Sequence, residues 1–194
     1  MKKASLFLLT WIFISAVFSQ EAPEGLFINS KAPDFKAKDQ NGNEVRLKDL
    51  LKKGKVVLVF YRGYWCPYCN RQLKQLEDSL QLIKAKGATL VAVSPEKPES
   101  ITKTVEKTKA EYSLVYDEEL KIMKAYEVEY VMSENTVKRY KNGGIDIEEV
   151  NGKNGAYLPV PAVYIIDKES TITYRFFNSD YKKRASVKDI LANL

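Results

Sequence analysis

Val56-Val57-Leu58-Val59-Phe60-Tyr61 is an unbroken apolar run rich in β-branched and aromatic residues. A run without polar alternation reads as a central strand buried on both faces. The flanking pattern fits that reading. Phe35 and Val45 bracket Gln40-Asn41-Gly42-Asn43, a hairpin turn, and Leu47 to Lys53 is a short helix closed by Gly54. After the strand, Leu73, Leu76, Leu80 and Ile83 recur at helical spacing up to Gly87. Leu90 to Val93 is a second strand, Ser100 caps a helix over 101–111, and Leu114 to Tyr116 is a third strand. Glu118 to Tyr126 is helical. Val163 to Ile166 and Ile172 to Phe177 are strands joined by the Asp167–Ser170 turn, and Ser186 to Leu194 is a terminal helix. This order predicts an α/β fold, a central mixed sheet flanked by helices, with an N-terminal β-hairpin. The stretch 127–157 is polar and glycine-bearing without a strong period, and reads as an inserted excursion.

Lys2 and Lys3 precede an apolar run from Ala4 to Phe18 that is too short for a comfortable bilayer span and ends in small residues. Residues 1–19 therefore read as a secretory signal peptide and 20–194 as one domain, exported to a periplasm or the exterior, with no stable membrane association after cleavage. Loss of Lys2 and Lys3 lowers the formal charge from +6 to +4. Acids are interleaved with the bases, as at Lys107, Lys109 and Glu111, so no basic stripe offers a nucleic-acid surface.

The chain has two cysteines and no histidine. Histidine general bases and imidazole metal sites are thereby excluded, and two thiols do not complete a structural zinc site. No cofactor or metal is expected. The chemistry rests on Trp65-Cys66-Pro67-Tyr68-Cys69, placed where the strand gives way to a helix. Cysteines three apart in a first helical turn share a face, and a helix N-terminus supplies unpaired N–H groups and a positive dipole end that favour thiolate. Pro67 has no N–H to leave unpaired and a φ suited to the first turn. Arg62 adds positive potential if it faces the sulfurs and is otherwise a solvated loop charge; Trp65 is a lid over them or ordinary packing. A bridge between Cys66 and Cys69 closes too little chain to stabilise the fold by more than about 2 kcal/mol, which favours redox use over a structural role.

These residues resemble the peroxiredoxin-like branch of the alkyl hydroperoxide reductase/thiol-specific antioxidant (AhpC/TSA) family, in the thioredoxin-fold superfamily. The resemblance runs through Ala32-Pro33-Asp34-Phe35, Phe60-Tyr61-Arg62-Gly63-Tyr64-Trp65-Cys66-Pro67-Tyr68-Cys69-Asn70, Val91-Ala92-Val93-Ser94-Pro95, Leu158-Pro159-Val160-Pro161-Ala162 and Asp180-Tyr181 with Arg184. It implies a thioredoxin-like fold, thiol-based redox activity and an antioxidant role in redox homeostasis. It also implies a cis Val160-Pro161 bond facing the cysteines, with Val160 backbone groups offered to substrate. The family's P-x-x-x-T-x-x-C pattern, laid on without gaps, puts the peroxidatic position at Cys69, but Arg62 and Cys66 stand where proline and threonine are expected. The family's later arginine falls near Pro161.

The expected function is thiol–disulfide oxidoreduction, with Cys66 attacking and Cys69 resolving. Arg62, Trp65, Pro67, Val160 and Pro161 would support the site. The partners are a thiol electron donor (a thioredoxin-like protein or small thiol) and an oxidised protein or peroxide. Two alternatives stand beside it: a peroxiredoxin acting on hydroperoxides, and a non-catalytic binding module with a structural disulfide.

Overall fold

A computed structural model describes residues 22–194; the signal-peptide reading falls on residues outside it. The elements run β1 (Lys36–Lys38), β2 (Glu44–Arg46), α1 (Leu47–Leu51), β3 (Lys55–Phe60), α2 (Pro67–Asp78), α3 (Leu80–Ala85), β4 (Ala88–Ser94), α4 (Pro98–Thr108) and β5 (Ser113–Tyr116). They continue with a 3₁₀ turn (Glu118–Leu120), α5 (Lys121–Ala125), β6 (Glu129–Val131), α6 (Glu134–Asn142), α7 (Ile147–Asn151), a second 3₁₀ turn (Gly152–Asn154), β7 (Tyr157–Pro159), β8 (Ala162–Ile166), β9 (Ile172–Phe177) and α8 (Val187–Ala192).

The central sheet has the order β5-β4-β3-β8-β9. β3 pairs in parallel with β4, in the register Val57 to Leu90, and antiparallel with β8, Val57 to Ile165. β4 and β5 are parallel, and β8 and β9 antiparallel, so the sheet is mixed as the strand–helix order predicts. Alternation along β3 sends Val56, Leu58 and Phe60 into one core and Val57, Val59 and Tyr61 into the other, where Cys66, Cys69, Leu73, Leu76 and Ile83 also lie. All six residues from Val56 to Tyr61 are buried. Each such side chain contributes roughly 1.5–3 kcal/mol of burial. Among the described residues no helix is long and apolar enough to cross a membrane.

The hairpin forms as expected: Asp39 Oδ1 accepts from the N–H groups of Asn41 and Asn43, both at 2.9 Å. Gly54 does not end its helix in a left-handed turn; a Cβ there would collide with the Gly87 carbonyl, so the glycine serves a close approach of two loops. The helix after the cysteines is broken at Ser79, whose φ of −108° and ψ of 6° separate α2 from α3. Ser100 lies inside α4 rather than capping it, because Pro98 already opens the helix, and Lys109 ends it at φ 58°. The region expected as one helix over 118–126 is a 3₁₀ turn and a short helix, with Glu119 and Leu120 both at φ 60°.

Part of the stretch 127–157 is packed, although α6 (Glu134–Asn142) within it buries no residue. β6 pairs antiparallel with β7, and Met132, Ile147 and Leu158 form a small core joined by Val137, Tyr140, Ile145 and Trp65. Ser133 caps α6 and Asp146 caps α7 through side-chain oxygens. The pieces are nine and five residues long, too short to display a period in the sequence.

Candidate active site

β3, the central strand, delivers the chain to one end of the sheet, and Tyr61 to Trp65 carry it to the start of α2. Cys66 is the N-cap residue, with φ −88° and ψ 110°, followed by Pro67 at the first helical position. Its sulfur accepts the Cys69 N–H at 3.4 Å, one of the donors that a helix start leaves unpaired. The Cys69 sulfur in turn accepts the Arg62 N–H at 3.4 Å. Both cysteines are free thiols. Arg184, in the segment between β9 and α8, reaches both from one guanidinium nitrogen: Nη2 lies 3.2 Å from Cys69 Sγ and 3.8 Å from Cys66 Sγ.

The two sulfurs differ electrostatically. Hydrogen bonding from the Cys69 thiol lowers the Cys66 pKa to about 6 against the opposing effect of burial, helped by the Cys69 N–H and by the charges of Arg62 and Arg184. Burial pushes the Cys69 thiol well up, and the Cys66 charge beside it pushes the same way. The pair therefore holds its negative charge on Cys66 and its proton on Cys69. That is the state in which one sulfur attacks an external bond and the other waits to release it.

Arg62 is not a solvated loop charge. It is only 3% exposed. Its guanidinium carbon sits 4.3 Å from the Tyr181 ring centre, 4.7 Å from that of Trp65 and 5.9 Å from that of Tyr140, and Nη2 donates to Tyr140 Oη at 2.9 Å. Trp65 stacks edge-on against Tyr140 with centroids 5.2 Å apart, and packs against both the dithiol core and the small core of 127–157. Gly63, at φ 150°, makes this fit possible: a Cβ would lie 2.6 Å from Trp65 Nε1 and 2.9 Å from Glu96 Oε1. Glu96 is fully buried, accepting from the Tyr64 N–H at 2.7 Å and the Thr104 hydroxyl at 2.9 Å. Burial raises its pKa to about 7.

The expected cis proline is not found. The Val160-Pro161 peptide is trans. The Val160 N–H extends the β6–β7 pairing by donating to Val128 O at 2.7 Å, and Pro161 O accepts from Asn178 N at 3.2 Å. Local pairing thus takes up a backbone donor that was expected to face substrate, and the bond keeps the geometry that X-Pro peptides usually adopt. Arg62, Trp65, Cys66, Pro67 and Cys69 are brought together as the sequence predicts. Arg184, Glu96, Tyr140 and Tyr181 join them without having been assigned a role. Arg184 and Tyr181 stand in a recognised motif, whereas Tyr140 lies in a stretch with no local pattern.

The AhpC/TSA family model matches residues 28–175. The chain belongs to that family. A putative peroxiredoxin, bcp, of Helicobacter pylori (strain J99) is 36% identical over 53% of this chain and 67% of its own length. Peroxiredoxin Bcp of Bacillus subtilis is 33% identical over 58% of this chain and 71% of its own. Thiol-disulfide oxidoreductase ResA of Geobacillus kaustophilus is 31% identical over 52% of this chain and 58% of its own. Among solved structures, peroxidoxin BcpB of Mycobacterium tuberculosis superposes with a TM-score of 0.66 at 19% identity, covering 86% of this chain and 94% of that one, a likeness of fold. Thiol-based oxidoreduction and the thioredoxin-like fold are thus features of the group to which this AhpC/TSA protein belongs.

Proposed function

We infer that this AhpC/TSA protein is a thiol–disulfide oxidoreductase whose Cys66/Cys69 pair shuttles between dithiol and disulfide, in antioxidant defence and redox homeostasis. The observation that carries the reading is the unequal pair at the helix start: Cys66 receives the Cys69 N–H and shares the Arg184 guanidinium with Cys69, whose burial keeps it protonated. The Cys66 thiolate attacks one sulfur of an oxidised substrate, the S–S bond breaks, and the first half leaves as a thiolate that takes a proton from water. Cys69 then attacks the Cys66 sulfur of the mixed disulfide. Its proton and the electron pair of the broken bond leave with the second thiol. Two electrons and two protons pass to the substrate, and a thiol donor, thioredoxin-like or small, returns them. Arg62, Trp65, Pro67, Val160 and Pro161 are the residues assigned to support the pair. The protein works as one domain over 20–194, outside the cytoplasm, where the signal-peptide reading of residues 1–19 places it.

A second reading is favoured by Arg184, whose Nη2 stands 3.2 Å from a sulfur and offers a donor for a peroxide oxygen. There the thiolate takes one oxygen from a hydroperoxide, releasing an alcohol or water, and the other cysteine expels water from the sulfenic acid. Paired assays on the reduced protein, one with a small hydroperoxide and one with an insulin-type disulfide, separate the two. The disulfide reading also requires Cys69→Ser to accumulate a mixed disulfide through Cys66 and Cys66→Ser to accumulate none. Trapping through Cys69 alone would reverse the roles. A permanent structural bridge instead predicts turnover in neither assay and a reduction potential well below roughly −300 mV.

A further inference from the structure

The charge around the dithiol points to a class of substrate, an inference that rests on the redox role proposed above. Arg62 and Arg184 flank the sulfurs, yet among the described residues neither guanidinium has a carboxylate within 4.0 Å. The Nε of each is buried without a hydrogen-bond partner among those residues. Glu96 forms no ion pair with either arginine; its two oxygens accept from the Tyr64 N–H and the Thr104 hydroxyl. A buried cation ordinarily has an anionic partner. The rings of Trp65, Tyr140 and Tyr181 offset part of the burial of Arg62, by about 1–2 kcal/mol. Two guanidiniums thus face a single thiolate, and one positive charge is left over.

Access is narrow as well. Cys66 is 1% exposed and Cys69 0%. Tyr140 and Tyr181, whose rings meet the Arg62 guanidinium, also line an open surface depression of about 410 Å³ together with Arg139, Gly143 and Ile145. That volume suits a small molecule.

We propose that the site takes small disulfides carrying a carboxylate near the S–S bond, which enter past Tyr140 and Tyr181 and seat the carboxylate on Arg62. The Nε edge of a guanidinium pairs with a carboxylate through parallel hydrogen bonds. The cap rings part to admit it, and the Tyr140 hydroxyl yields its place on Arg62. Cys66 then displaces one thiolate from the substrate, Cys69 displaces the other from Cys66, and both halves leave as carboxylate-bearing thiols.

Alkylation tests this without turnover. Iodoacetate and iodoacetamide are similar in size, differ by one negative charge and react with the same thiolate, so the ratio of their rates at Cys66 is independent of the fraction ionised. Measured by mass spectrometry on the reduced protein at low salt, that ratio should exceed the ratio for a cysteine peptide by about tenfold, fall with added salt, and drop towards the peptide value in Arg62→Met. Single-turnover oxidation should likewise be faster with dithiodiglycolate than with bis-hydroxyethyl disulfide. A wild-type ratio equal to that of the peptide overturns the proposal whatever the variant does. Failure of the redox role would show separately, as absence of turnover with any disulfide.

Discussion

At the residue scale the site depends on which sulfur holds the charge. The hydrogen bonds from Cys69 favour thiolate at Cys66, helped by the charges of Arg62 and Arg184. Arg184→Met should therefore raise the Cys66 pKa from about 6 by roughly one unit, followed as the pH dependence of the thiolate ultraviolet band. A titration that moves downward, or not at all, removes Arg184 from the electrostatics of the pair. In Cys69→Ser the hydroxyl still offers a hydrogen bond, so the Cys66 titration should shift less than in Cys69→Ala. The same comparison, read by alkylation rate against pH, reports whether the bond from Cys69 has the largest influence.

At the scale of elements, the segment 134–151 owes its position to few contacts. Ile147 is fully buried in the small core with Met132 and Leu158, and that core meets the dithiol through Trp65. Ile147→Ala should cost about 2–4 kcal/mol of local stability. Its mark would be faster amide exchange across α6 and α7 with protection of β3 retained; equal loosening of β3 would mean that the two cores unfold as one. This region also shows where sequence reading stops. β3, β4 and β8 announce themselves by apolar runs, and the cysteine pair by its place between a strand and a helical period. Tyr140 carries no such signal. It matters because α6 lays it across Arg62, a contact between residues 78 positions apart. Breaks within helices were similarly hidden: Ser79, Glu119 and Leu120 interrupt them through backbone angles that the apolar spacing does not encode. The trans Val160-Pro161 bond belongs to the same group, being set by pairing with Val128.

For the whole molecule, shifted ionisations couple stability to pH in two opposed ways. Glu96 has its pKa raised from 4.5 to about 7, so the folded state holds a proton more tightly than the unfolded chain. Its contribution is full below about 4.5 and is lost as pH rises through 7. Cys66 acts the other way. Its pKa, lowered from 9.0 to about 6, gives the reduced protein stability that is full above 9 and lost as pH falls through 6. Glu96→Gln removes the first effect and leaves the amide oxygen to accept from Tyr64. Unfolding free energies from denaturant titrations should then favour the variant increasingly between pH 5 and pH 8, by a total of about 2.5 kcal/mol. A constant difference across that range would show that Glu96 is ionised throughout.

Trp65 is the only tryptophan among the described residues, and it touches the Arg62 guanidinium, the Tyr140 ring and the dithiol core at once. The polypeptide thus contains its own optical reporter. Indole emission should change in intensity when the sulfurs join, and again when the rings beside it move, so both events can be timed on unlabelled protein.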